Sequence, residues 1–156
     1  TGMFASSLAI FRDMLHALKP VDRHTLPSVL KSCSGISALR LGRQVHGAVV
    51  VLGYDSDAAN CNAVMSLYSK CGGFEEVQKV FDRMPVRNEV TWTVMIAACG
   101  ANGKFSEVLG LFGRMLAGGM KVDGMCLTAV LSACSHGGMV DQGLEVFGMM
   151  KDRFGV

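Results

Sequence analysis

One irregular period is written into this chain three times over, and it limits the fold more than any single motif does. The pairs Ile10-Phe11, Val45-His46, Val80-Phe81, Leu111-Phe112 and Val146-Phe147 start at successive steps of 35, 35, 31 and 35 residues. Three residues beyond the aromatic stands Met14, Met84, Met115 or Met150, with Val49 in the His46 copy. That spacing lays the two side chains on one face of a helix. A second track runs half a period away. Its segments start at Pro27, Asn62, Thr93 and Thr128, at steps of 35, 31 and 35, and Cys33, Cys99 and Cys134 hold equal places in three of them. A third track is polar: Asp22, Asp57, Asn88 and Asp123 repeat the same steps, each just ahead of a second-track segment. Asp and Asn there predict helix N-caps.

Between the tracks lie Ser34-Gly35, Gly72-Gly73, Asn102-Gly103 and Gly137-Gly138, where glycine supplies the left-handed residue that closes a helix. The spacing therefore predicts a lone second helix over 4–17 and helical hairpins over 25–34 with 38–52, 59–70 with 74–84, 90–101 with 104–117, and 125–135 with 139–153. A single hairpin cannot cover its own apolar face, whereas stacked neighbours can. The expected fold is all-α, a right-handed α-solenoid of stacked helix-turn-helix repeats. Both end repeats read as cut, and the apolar faces left there predict self-association through the truncated solenoid ends.

Composition narrows the function. Half of the 156 residues are hydrophobic and mean hydropathy is +0.35, yet apolar runs such as Ala48 to Leu52 fall far short of the roughly 18 residues a membrane span needs. No membrane partner is expected. The net charge of +2 permits a nucleic-acid partner without demanding one. Six cysteines, at 33, 61, 71, 99, 126 and 134, show no CxxC spacing, and no paired histidines complete a zinc site; they read as small buried hydrophobes. His16, His24, His46 and His136 stand at no ligand spacing. No nucleophile–base pair, phosphate loop or acid pair suited to hydrolysis is visible, so neither a catalytic residue nor a cofactor is expected. Trp92 and the Met series read as core, and Glu75-Glu76 as a solvated pair suited to a helix start.

The local strings resemble the pentatricopeptide repeat family, specifically its plant PLS subclass, in which P, L and S motifs rotate. Residues 1–22 resemble a truncated P motif. Residues 23–57, with Arg23-His-Thr-Leu-Pro-Ser-Val-Leu-Lys-Ser-Cys and Gly42-Arg-Gln-Val-His-Gly, resemble an L motif. Residues 58–88, with Asn62-Ala-Val-Met-Ser-Leu-Tyr-Ser-Lys-Cys-Gly and Lys79-Val-Phe-Asp-Arg-Met-Pro, resemble an S motif. Residues 89–123, with Val90-Thr-Trp-Thr-Val-Met-Ile, resemble a P motif, and 124–156, with Leu131-Ser-Ala-Cys-Ser-His-Gly-Gly, a truncated L motif.

The resemblance implies binding of single-stranded RNA, one base per repeat, read by the fifth and last residues of each motif. The implied pairs are Asn62 with Asn88, preferring a pyrimidine, and Thr93 with Asp123, preferring guanine. Pro27 with Asp57 is a poor reader, because Pro27 offers no side-chain donor or acceptor, and Thr128 stands without its partner. His24, Ala59, Val90 and Met125 would sandwich bases, and Lys70 is a candidate phosphate contact. The physical reading of the same residues agrees: Asn is a poor helix former, and a short polar group at one place in three successive repeats, Asn62, Thr93 and Thr128, lines one face of a solenoid. The resemblance further implies organellar RNA metabolism, in C-to-U editing-site recognition or in splicing and processing, in the mitochondrion more than the chloroplast. The zinc site of a deaminase domain is absent from this sequence, so editing chemistry would come from another domain or from a deaminase-domain protein. L motifs imply docking of partners of the multiple-organellar-RNA-editing-factor type. The alternative is a protein-interaction helical solenoid.

Overall fold

The computed structural model describes residues 22–150 together with Ser6 and Ala9. Apart from Ser6 and Ala9, the expected lone helix over 4–17, with Met14 of the methionine series, lies outside the described residues, as does everything past Met150. Among the described residues there are eight α-helices and no strand. They fall into two compact units that divide between Val86 and Arg87.

The first unit holds α1 (Thr25–Gly35), α2 (Leu39–Val51), α3 (Ala58–Lys70) and α4 (Phe74–Arg83). Helix α1 packs on α2 and α3, α2 on α3, and α3 on α4. Its core is Leu26, Val29, Leu30 and Cys33 from α1, Val45 and Val49 from α2, Val64, Met65, Leu67 and Tyr68 from α3, and Val77 and Phe81 from α4. Each fully buried aliphatic side chain contributes about 1.5–3 kcal/mol relative to exposure. Gly42 sets how closely α2 approaches α3, since a Cβ there would overlap both methyl groups of Leu67.

The second unit holds α5 (Glu89–Ala101), α6 (Phe105–Ala117), α7 (Gly124–His136) and α8 (Val140–Met149). Helix α5 packs on α6 and α7, α6 on α7, and α7 on α8. Trp92, Met95, Ile96, Val108, Phe112, Met115, Leu127, Val130 and Val146 are buried. Trp92 is core, as its place in the repeat predicts, with the Arg114 guanidinium 5.2 Å from its ring centre. Of the methionine series, Met84 and Met115 are likewise buried, whereas Met150, at the end of the described residues, is half-buried.

The polar track caps helices. Asp57 Oδ1 accepts from Asn60 N–H at 3.0 Å, and Asp123 Oδ1 from Cys126 N–H at 2.8 Å. Asn88 Oδ1 accepts from Thr91 N–H at 3.0 Å while Thr91 Oγ1 accepts from Asn88 N–H at 3.2 Å, a reciprocal capping box. Asp22 departs from the expected pattern. The cap residue of α1 is His24, and Asp22, two residues earlier, receives the amides of His24 and Thr25 at 3.0 and 2.7 Å.

A second departure concerns the first turn. Gly72, Gly103 and Gly138 take left-handed φ values of 77°, 71° and 68°, but the equivalent residue after α1 is Ser37, at 53°, and not Gly35. Helix α1 runs through Gly35, so the left-handed step falls two residues past the helix end, as it does after α3, α5 and α7. The short 31-residue step also has a local cause. Helices α2 and α6 run 13 residues and are followed by the left-handed Gly53 and Gly119, whereas α4 stops after 10 at Arg83. Met84 is already extended, with ψ 123°, ahead of Pro85, and a residue before proline is pushed out of the helical region. Among the described residues no helix is long and apolar enough to cross a membrane.

Candidate nucleic-acid interface

Each first helix of a hairpin carries one face at the spacing i, i+3, i+7, i+11. On α1 it holds His24 (its cap), Pro27, Lys31 and Gly35; on α3, Ala59, Asn62, Ser66 and Lys70; on α5, Val90, Thr93, Ala97 and Ala101; on α7, Met125, Thr128, Ser132 and His136. The proposed sandwiching residues are exposed: Val90 shows 55% and Met125 74% of its surface, and His24 and Ala59 are open too. Large apolar side chains left in solvent at matching places are a feature a stacking partner would explain.

The expected readers differ in how open they are. Asn62 is buried at 7% exposure, Pro27 and Thr93 are half-buried, and Thr128 is exposed. Thr128 Oγ1–H donates to Gly124 O at 2.7 Å, which spends its only proton and leaves an acceptor. Burial pushes the Cys126 thiol up, and the neighbouring Thr93 side chain offsets part of that shift; the thiol lies 3.7 Å from Met115 Sδ. Asp57, Asn88 and Asp123 each commit one oxygen to a cap; the two carboxylates keep a second oxygen able to accept from a base. The Asp57 carboxyl is held below its ordinary value, chiefly by the Asn60 amide. Pro27 sits in the first turn of α1, where a missing N–H costs nothing. Lys70 is exposed at the last residue of α3, favourably placed against the helix dipole.

In the second unit these residues meet a surface. An open groove of about 790 Å³ runs between α5 and α7, lined by Met125, Thr128, Ser132 and His136 on one side and by Ala97, Gly100 and Ala101 on the other. The small residues leave room between the helices. The first unit has a smaller pocket, about 200 Å³, between α2 and α4. His46 lines it, with Nδ1 2.9 Å from the Tyr68 hydroxyl, and burial, then Arg83, holds its imidazole below the ordinary value. Burial raises the Cys61 and Cys99 thiols to about 11, far from the range of reactive thiolates; five of the six cysteines are buried as expected, and Cys71 is half-exposed. Among the described residues no three His, Cys, Asp or Glu side chains cluster as a metal site.

Two residues escaped sequence reasoning. Asn60 is fully buried and ties α3 to the entry of α1, its Nδ2 donating to Arg23 O and Asp57 Oδ1 at 3.1 Å each. His136 looked isolated in sequence, but counting in fours from Thr128 would have placed it on the groove face.

A repeat-family model, described as PPR repeat, matches residues 60–88, 90–120 and 126–153, more than half of the chain. The chain belongs to the pentatricopeptide repeat family. Relatives from Arabidopsis thaliana align along nearly all of it. Pentatricopeptide repeat-containing protein At5g27110 is 36% identical over 155 residues, covering 99% of this chain and 22% of the relative. Pentatricopeptide repeat-containing protein At2g03880, mitochondrial, is 38% identical over 150 residues, covering 96% and 24%. The chain thus spans about a fifth to a quarter of the length of these relatives. In three dimensions it resembles the crystal structure of the pentatricopeptide repeat protein PPR10 in complex with an 18-nt psaJ RNA element, with a TM-score of 0.81 at 19% identity over 97% of this chain and 23% of the other. That likeness places the chain in the α-solenoid repeat fold.

Proposed function

We propose that this pentatricopeptide repeat segment binds single-stranded RNA sequence-selectively, one base per repeat, within organellar RNA metabolism. The observation that carries the reading is the repeated face of the first helices: a base-sized apolar residue, Val90 or Met125, exposed one turn before a polar one, Thr93 or Thr128. The RNA complex of the structural neighbour supports it, and relatives named mitochondrial and chloroplastic support an organellar setting. In this reading the chain is of the PLS subclass, with an L motif over 23–57, S over 58–88, P over 89–123 and L over 124–156. Asn62 with Asn88 prefers a pyrimidine and Thr93 with Asp123 guanine, flanked by His24, Ala59, Val90 and Met125. Lys70 meets a phosphate. The chain supplies an address, for editing or for splicing and processing, and other domains or proteins supply chemistry.

The test is fluorescence anisotropy with short single-stranded RNAs carrying pyrimidine-G or purine-A at the centre. A preference for pyrimidine-G that disappears in Asn62→Ala/Thr93→Ala supports the reading. Equal binding untouched by the substitutions removes it.

A second role is favoured by one surface. Val50, Val51 and Leu52 are consecutive and exposed at 51%, 85% and 46% at the end of α2, and Val50 lines the small pocket beside Lys79 and Arg83. Such a patch suits protein docking, and a partner of the editing-factor or deaminase-domain class is the reading that follows. Val51→Lys/Leu52→Lys should abolish capture by such a partner and spare RNA binding.

A further inference from the structure

The polar groups in the α5–α7 groove have a chemical sense beyond that of the Thr128 place alone. His136 Nδ1 lies 2.7 Å from Ser132 O. A carbonyl oxygen can only accept, so Nδ1 carries the proton, and in the neutral ring Nε2 is left with a lone pair. Because Nδ1 is tied to the backbone of its own helix, Nε2 takes the outward edge of an exposed ring that lines the groove. Thr128 Oγ1 has likewise spent its proton, on Gly124 O. Two of the three polar side chains on this wall therefore present acceptors, and the opposite wall around Ala97, Gly100 and Ala101 offers no side-chain hydrogen bond at all. A groove of this kind selects an occupant rich in donors.

Thr128 and His136 stand eight residues apart on α7, about 12 Å of helix rise. A nucleoside that sets its base edge at Thr128 and lies along the groove toward the last turn of α7 would have its sugar within reach of the His136 imidazole. The sugar hydroxyl is the donor that RNA has and DNA lacks. We propose that His136 Nε2 accepts a hydrogen bond from a ribose 2′-hydroxyl, which makes the α5–α7 groove a place where this chain distinguishes RNA from DNA. The inference rests on the RNA-binding reading above. It differs from the part assigned to Lys70, which holds the same place on α3: an ammonium has no lone pair and can only donate to phosphate.

The experiment is anisotropy of the full chain with a short pyrimidine-G RNA, the DNA of the same sequence, and the RNA with single 2′-deoxy substitutions walked along it. Wild type should favour RNA, and one 2′-deoxy position should account for most of the difference. His136→Ala should lower the RNA-to-DNA affinity ratio about two- to tenfold, the range for one net hydrogen bond, while DNA affinity stays constant. His136→Asn, which keeps a nitrogen near Nδ1 but nothing at Nε2, should behave as His136→Ala; His136→Gln, with an amide near Nε2, should retain preference. An equal loss on RNA and DNA would assign His136 to a phosphate and overturn the proposal. RNA binding with an unmoved ratio would overturn it while leaving the RNA reading intact. A wild type that binds neither polymer would remove both.

Discussion

A pair of substitutions separates the observed cap of Asp123 from its proposed role as a base reader. As a cap, its Oδ1 accepts from the N–H of Cys126 at 2.8 Å, and Cys126 has no exposed surface. Asp123→Ala leaves that donor without its acceptor, and loss of such a cap costs about 1 kcal/mol, rising to about 2 where the donor stays dry. For a chain of this size each kcal/mol lowers Tm by about 2–4 °C, and by about 4–8 °C if the second unit melts alone. Asp123→Asn keeps an oxygen in the same place, and Asn caps as well as Asp; only the charge at the helix N-terminus is lost, about 0.3–1 kcal/mol at low salt. As a reader, the carboxylate offers acceptors alone, and the amide replaces one oxygen with a donor. A base contact of about 1–3 kcal/mol corresponds to roughly five- to 150-fold in affinity. Asp123→Asn should therefore melt near wild type in far-UV circular dichroism yet lose much of its preference for guanine at the paired base. Asp123→Ala should lose stability and preference together. An Asp123→Asn protein that melts as low as Asp123→Ala refutes the cap argument; one that keeps the wild-type guanine preference refutes the reading role.

Glycine substitutions should split by surroundings. Gly137→Ala sets a Cβ 2.7 Å from the Phe105 Cβ, an atom fixed to the α6 backbone, and should cost about 1–3 kcal/mol; Gly47→Ala, with nothing within 4 Å inside α2, should stabilise by about 0.5–1 kcal/mol, both read from urea midpoints. Asp57 has a folded pKa below its unfolded value, so its cap contribution is present above about pH 4 and is lost as pH falls through the folded value. Asp57→Asn should flatten the decline in urea midpoint between about pH 5 and about pH 3, and an unchanged slope would show the carboxylate to be idle. Trp92 is the only tryptophan and is 8% exposed, so its emission should be blue-shifted, should move to the red on unfolding, and should keep its wavelength when RNA is added; Trp92→Ala should cost about 3–5 kcal/mol. A shift on RNA addition would place Trp92 against a base and count against its core role.

What the sequence could disclose follows from what a period encodes. Helix positions were legible because three tracks share the steps 35, 31 and 35, and a period fixes which residues share a face. The cause of the short step was legible too, in Pro85, though only the early end of α4 assigns it that role. Ser37 was not legible, since a search for glycine finds Gly35, and the left-handed step two residues past the helix end falls on a serine. Asn60 was hidden for a similar reason: it belongs to no track, and its importance lies in reaching Arg23 O across 37 residues of sequence. The candidate interface divides along the same line. Counting along α7 puts Thr128, Ser132 and His136 on one face, but counting says nothing about where a hydroxyl or imidazole proton goes. Thr128 and Asn62 hold equal places in their repeats, yet one is open with its proton spent and the other is buried. In the proposed reading, base preference in such a repeat would depend on the identity of the reader and also on which of its hydrogen-bonding groups the local backbone has already taken. Thr93 and Thr128 test that dependence inside one chain. They are the same residue at the same place, one neighbouring the Cys126 thiol and the other bonded to the Gly124 carbonyl. If identity alone decided recognition, exchanging Cys126 for alanine would leave the base preference at the Thr93 repeat unchanged; if the local partner matters, that preference shifts while the one at Thr128 stays.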